Sequence, residues 1–168
     1  MCYVLRVDAL RVPLHQRVLD AGSKVQGRSA LAFNYLNAMA GEVQRWFDRL
    51  PEHWQERAQL LRDLVLDAAP GMAEKWMFKS APFYLHHGWM CYFSFKDDQL
   101  IIGFCQGVHM LDEEALFALT PHKQIRHYLP PRPPARLNEG AFRRTLVEAV
   151  HINEMLAEER TAKRKRKR

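Results

Sequence analysis

The stretch that decides the fold runs from Lys75 to Phe104 and reads KWMFKSAPFYLHHGWMCYFSFKDDQLIIGF. It holds nine of the chain's eighteen aromatic residues, so much of the apolar surface is concentrated here. Turn residues interrupt the stretch at Pro82, Gly88 and Asp97-Asp98. Aromatic and β-branched runs between such breaks are typical of antiparallel strands. We therefore expect a sheet that is apolar on both faces and that is either covered twice or lines a pocket.

The flanking segments predict an α+β fold. The spacing of Val43, Trp46, Phe47 and Leu50 marks one face of a helix, and a second helix is expected from Pro51 to about Ala69. Asn138 is the predicted cap of a long C-terminal helix that frays near Arg160. The expected fold is an antiparallel sheet of about four to five strands, packed against these N-terminal helices and the C-terminal helix. Strands are predicted at 83–86, 90–96 and 100–105 and at an edge over 123–129, with a helical turn at 72–75 and a short helix at 112–119.

The 168 residues suit one domain with extensions at both ends. Residues 1–38 show no clear period and are predicted to be a weakly ordered extension. Residues 39–160 form the predicted α+β domain, and residues 161–168 a disordered basic tail. No apolar run approaches the ~20 residues that a membrane span needs, and no secretion signal is evident.

The positive charge of the chain comes from its last six residues. The net charge is +6, but without the tail residues Lys163, Arg164, Lys165, Arg166, Lys167 and Arg168 the chain has 19 basic and 19 acidic residues. Such a tail attracts nucleic acid or other anionic partners weakly and in a salt-sensitive way. The alternative is a solvated terminus that aids solubility.

The three cysteines do not form a disulfide framework. With a two-residue turn at Asp97-Asp98, Cys91 and Cys105 lie on opposite faces of the sheet; a three-residue turn would place them opposite each other. We expect reduced thiols that serve as small apolar side chains.

Several short motifs are similar to those of the YdhG-like family. They are WFDRLP (46–51), APGMAEKW (69–76), APFY (81–84), GWMCYF (88–93), GFCQG (103–107) and KQIRH (123–127). The chain resembles this family, whose members are mostly of unknown function and include a frataxin-like iron chaperone, over about Val43–Leu156. The resemblance implies an α+β domain that is cytoplasmic and bacterial, with iron handling as its function and a metal-acceptor protein as partner. Met77 departs from the glycine that commonly follows Lys-Trp in the family.

Histidines are the candidate metal ligands. Iron needs carboxylate or imidazole ligands that converge. His86 and His87 are adjacent, and they would point to opposite faces of a regular strand unless the chain twists before Gly88. The other candidates are His122 and His127. The alternatives are a surface hairpin tip for the first pair and an edge strand for the second.

Two further sites are predicted from clustered side chains. Lys123 and Arg126 are candidates for an anion site, with a protected edge strand as the alternative. An aromatic wall with cations predicts a small-ligand pocket, with ordinary core packing as the alternative. Its residues are Lys75, Trp76, Lys79, Tyr84, Trp89 and Tyr92.

The motifs for familiar enzyme chemistry are missing. The chain has no Gly-rich phosphate loop, nucleophile elbow, paired-cysteine zinc motif or helical histidine pair. The first hypothesis is therefore a non-catalytic binding or chaperone domain, with iron as the ligand that the family resemblance implies. The second is a module that contacts nucleic acid or anionic partners through its tail. The third is a small-ligand pocket protein or an enzyme of unknown reaction.

Overall fold

The computed structural model of the protein describes residues 41–118, 120 and 122–167. The predicted extension over 1–38, together with Cys2, lies outside the described residues. Within them the helices are α1 (41–48), α2 (Glu52–Leu66) and α3 (Glu139–Arg166). The strands are β1 (Ala73–Met77), β2 (Ala81–Leu85), β3 (Trp89–Lys96), β4 (Gln99–Phe104), β5 (Phe117–Ala118) and β6 (Arg126–Tyr128), with a 3-10 turn at Gly107–His109.

The described strands form one antiparallel sheet in the order β1-β2-β3-β4-β6-β5. The predicted α+β class is confirmed, although the sheet has six strands instead of four to five. Asp97 and Asp98 both adopt left-handed backbone angles, with φ of 51° and 55°, as a two-residue hairpin turn requires. This turn pairs Cys91 with Phe104, so Cys91 and Cys105 lie on opposite faces, and both thiols are free.

The two strands that were not predicted from the sequence, β1 and β5, form where helical segments were expected. Residues 73–77 pair with β2, where a helical turn over 72–75 was expected. In the predicted helix over 112–119, Asp112 and Ala115 have positive φ angles that interrupt helical geometry. The Asp112 carboxylate accepts hydrogen bonds from the amides of Leu116 and Phe117 and so holds a turn that leads into β5.

The predicted edge strand is an interior strand. β6 is shorter than the predicted 123–129 and lies between β4 and β5, so the edges of the described sheet are β1 and β5. The edge prediction relied on basic side chains, which discourage further pairing. The two-residue strand β5, which immediately precedes β6 in the chain, nevertheless pairs here, through Phe117 with Tyr128 and Ala118 with His127.

All three described helices pack on one face of the sheet, which we call the inner face. Phe47 of α1 meets Phe93 of β3 edge to face at 5.6 Å, and Phe142 of α3 stacks on Tyr128 of β6 at 5.0 Å. Trp54 of α2 is fully buried and donates to the Asp98 carbonyl. The core therefore consists of helix stripes packed against the inward-facing half of each strand.

The opposite face, which we call the outer face, is not covered by any described helix. Ala81, Phe83 and Cys105 are buried there by neighbouring strand side chains. Phe78 and Trp89, however, remain 63% and 48% exposed. The expectation that both faces are covered or enclose a pocket is therefore wrong for the described part of the chain.

Helix α3 extends farther than predicted. Asn138 caps it as expected, because its side-chain oxygen accepts from the Ala141 amide. The helix does not fray near Arg160 but continues to Arg166, so residues 161–166 are helical where a disordered tail was expected. Lysine and arginine are good helix formers, and positive charge is favoured at a helix C-terminus. No helix in the described ranges is both long and apolar enough to cross a membrane.

Candidate metal centre

The turn between β2 and β3 brings two consecutive histidines together. His87 has a φ of 53° and Gly88 a φ of 141°, so the chain leaves the extended conformation in which successive side chains point apart. The rings of His86 and His87 consequently lie 4.5 Å apart and nearly perpendicular. Gly88 supports this geometry because glycine tolerates such a φ without steric cost.

Helix α3 supplies a carboxylate to the same place. Glu154 Oε1 lies 2.9 Å from His86 Nε2. One potential ligand atom from each of His86, His87 and Glu154 falls within 4.8 Å of the other two. His86 is only 8% exposed, whereas His87 is exposed and the Glu154 side chain is 45% exposed. The group therefore has one buried ligand and two that solvent reaches.

Neighbouring side chains on α3 fix the backbone of this turn. Asn153, which is 3% exposed, donates from Nδ2 to the His86 carbonyl at 2.8 Å. Arg160 donates from Nη2 to the His87 carbonyl at 3.1 Å. Two consecutive carbonyls are thus held by one helix, which positions the imidazoles relative to Glu154.

The electrostatics of the site favour an ionised carboxylate. The hydrogen bond from His86 holds the pKa of Glu154 below its ordinary value, and His87 and His151 lower it further. Glu154 is therefore negatively charged at neutral pH, which is the form that binds a cation.

Two histidines and one carboxylate make a donor set for a divalent transition metal. This combination with open positions is typical of non-haem Fe(II), and zinc also uses it. With metal–ligand bonds of about 2.1 Å, adjacent ligands of an octahedron lie about 3.0 Å apart. His86 Nε2 and Glu154 Oε1 are 2.9 Å apart, close to that spacing, and a ligand atom of His87 lies within 4.8 Å of both. A metal bound here would replace the proton that His86 Nε2 shares with the carboxylate.

The other two predicted metal histidines lie elsewhere. His127 is on β6, three strand positions from β2, and its Nε2 is 3.1 Å from the Tyr92 hydroxyl. His122 accepts at Nδ1 from the Ile125 amide. Burial, and then the nearby His122, lower the pKa of His127. The structure thus brings His86 and His87 together and leaves His122 and His127 out of this group.

The predicted pocket residues do not share one face. Trp76 and Tyr84 point to the helices, while Trp89 and Tyr92 lie on the outer face. Lys75 pairs with outward-facing Phe83 and so lies on the outer face, and Lys79 is in the turn before β2. These residues therefore do not line a common pocket.

The predicted anion pair does line a shared concavity. Lys123 and Arg126 border a cavity of about 400 Å³, together with Thr120 and His122. Arg126 Nη1 already donates to the carbonyls of His122 and Ile125, each at 3.3 Å. Part of its hydrogen-bonding capacity is therefore used within the loop.

Sequence reasoning missed Glu154. The predicted ligands were all histidines, and Glu154 is 68 positions from His86. One signal was present: Asn153 continues the buried stripe of Leu146 and Ala149, and a polar residue on such a stripe needs a partner. That partner is the carbonyl of His86.

Comparison with known proteins found no family model, curated protein or solved structure that matches the chain. The resemblance to the YdhG-like family stays a prediction.

Proposed function

We propose that the protein is a cytoplasmic, non-catalytic domain that binds a divalent transition metal through His86, His87 and Glu154. The observation that carries the proposal is the meeting of these three side chains from two distant segments. The left-handed backbone at His87 is energetically unfavourable for a residue other than glycine. Such strained residues cluster at functional sites, and here the strain brings both imidazole rings to one side of the turn. Iron is the metal that the family resemblance implies.

The exposure of the site fits reversible binding. Structural metal sites are closed by four protein ligands, whereas this group offers three. His87 and Glu154 both reach the groove formed with Glu158 and Lys165 on α3. A metal held here would keep open coordination positions through which an acceptor protein can take it, as a chaperone requires.

Cobalt titration tests the proposal, since Co(II) reports its ligands by visible absorption. We expect one equivalent to bind, with anaerobic Fe(II) competing for it. His87→Ala and Glu154→Gln should each weaken binding at least tenfold, because each removes a ligand from an exposed position. His122→Ala is the matched control and should leave the affinity unchanged.

Two results of the cobalt titration would contradict the proposal. Equal affinity and stoichiometry in the wild type, His87→Ala and Glu154→Gln would show that metal binds elsewhere or not at all. His122→Ala losing affinity would point to the loop at 120–126 instead. Circular dichroism of each variant checks that the fold is retained.

A further inference from the structure

The outer face carries a compact aromatic platform beside the β2–β3 turn. Phe83 is its floor, 9% exposed and stacked on Tyr92 at 5.1 Å with an interplanar angle of 24°. Phe78 and Trp89 stand edge to face at 5.6 Å and are 63% and 48% exposed. Two large rings are thus presented to solvent on a packed base, where apolar side chains usually gain from burial.

The platform is rigidly built. The Tyr92 ring lies directly over Gly103, where an added Cβ would sit 2.2 Å from the ring. Its hydroxyl meets His127 Nε2 at 3.1 Å. Phe83 contacts Phe78, Trp89 and Tyr92, so the four rings support one another. Such rings lose little conformational entropy when a ligand stacks on them.

The strands give the outer face a small excess of positive charge. By the strand register Lys75 points outward, and the six strands place no acidic side chain on this face. Lys96 also points outward but lies 3.9 Å from Asp97, and the lowered pKa of His127 favours its neutral form. Helix α3 passes the same turn, because the Arg160 guanidinium lies beside Gly88 and bonds the His87 carbonyl. From Arg160 the helix continues about 9 Å, to Arg166.

The C-terminal end of α3 carries four consecutive basic residues, 163–166. Lys163 is 3.5 Å from Glu159, which partly neutralises it. Arg164, Lys165 and Arg166 follow on the exposed last turns. Arg160 contacts the β2–β3 turn and Trp89 is the first residue after it, so the cations of α3 and the Trp89 side of the platform adjoin the same turn.

We propose that this region binds single-stranded nucleic acid, with bases stacked on Phe78 and Trp89 and phosphates near the basic end of α3. Unpaired bases offer faces that stack on aromatic side chains, and cations track the backbone. A duplex keeps its bases stacked internally, so it would engage only the cations. Self-association of two such faces is disfavoured because each would bring its own positive charge to the other.

Fluorescence anisotropy with labelled (dT)20 and (U)20 tests the proposal on the full chain, in EDTA and at several salt concentrations. Trp89→Ala and Phe78→Ala should each weaken binding roughly tenfold, because each removes one stacking surface. Changing Arg164, Lys165 and Arg166 to Gln should reduce the slope of log K against log salt by about 2. Trp89→Phe should retain most of the affinity.

Matched controls separate this proposal from others. Leu111→Ala removes another exposed apolar side chain, 79% exposed and outside the platform, and should bind normally. The assay contains EDTA, so metal binding does not contribute, and failure here and failure of the metal proposal are distinguishable. A duplex of the same length should lose affinity with the helix variant but not with Trp89→Ala.

Three results would overturn the proposal. The first is no binding at low salt, and the second is unchanged affinity in both Trp89→Ala and Phe78→Ala. The third is a dimer in sedimentation that becomes monomeric in Trp89→Ala, since it would assign the platform to a second copy of the chain.

Discussion

The Asn153 side chain is the clearest place to test how α3 positions the histidine turn. Its Nδ2 donates to the His86 carbonyl at 2.8 Å, and the residue is 3% exposed. Asn153→Ala removes the donor and leaves that carbonyl without this partner in a site that water scarcely reaches. The same change loosens the link between His86 and Glu154, one residue further along the helix.

The size of the effect follows from this burial. Leaving one buried polar group unsatisfied costs about 1–3 kcal/mol of unfolding free energy. Groups bonded directly to a metal-ligating side chain contribute a factor of about 10–100 in metal affinity, and Asn153 acts one step further out, on the His86 backbone. We therefore expect Asn153→Ala to lower stability by about 2 kcal/mol and to weaken Co(II) binding by up to about tenfold.

Urea unfolding monitored by circular dichroism measures the first quantity, and cobalt titration the second. Thr145→Ala is the matched control, because Thr145 is 4% exposed on the same helix and donates to the Ala141 carbonyl. Eight residues separate the two positions, about 12 Å along the helix. The control should cost about 1 kcal/mol of stability and leave metal affinity unchanged.

Two outcomes would refute the reasoning. If Asn153→Ala is as stable as the wild type, the hydrogen bond to the His86 carbonyl contributes nothing measurable. If Asn153→Ala and Thr145→Ala lose metal affinity equally, the loss reflects general destabilisation and not the position of His86.

Three further predictions concern the rest of the fold. Arg62 forms two hydrogen bonds with the mostly buried Glu74, at 2.7 and 2.6 Å, so Arg62→Met should cost roughly 3 kcal/mol in urea unfolding by leaving the carboxylate unpaired; an unchanged midpoint would contradict this. Gly103→Ala should cost about 1–3 kcal/mol and shift the near-ultraviolet dichroism, because its Cβ would meet the Tyr92 ring; identical spectra would show that the ring moves freely. Burial raises the pKa of Cys105 from 9.0 to about 12, so its neutral thiol contributes stability below pH 9 that is lost as pH rises from 9 to 12. Cys105→Ala should therefore lose less stability than the wild type over that pH range. Parallel curves of unfolding free energy against pH would argue against this prediction.

Local patterns in the sequence predicted those parts of the fold that depend on near neighbours. The hairpin at Asp97-Asp98 follows from residues that tolerate left-handed angles between two apolar runs. The cap at Asn138 also follows from the local sequence, because an asparagine oxygen can accept from a free amide in the first turn of a helix. The errors arose where pairing with the next strand in the chain overrode the local helical pattern. Residues 73–77 and 117–118 became strands because β2 and β6 offered them hydrogen bonds.

The candidate metal centre was likewise predicted only in part from the sequence. Adjacent histidines before a glycine were visible in the sequence, and so was the reason that an ordinary strand would keep them apart. Only the folded chain decided that His87 adopts a left-handed backbone and that Glu154 arrives from a helix 68 positions away. Side-chain periodicity records which face a residue occupies within its own element, whereas the meeting of two elements depends on how their buried faces pack together.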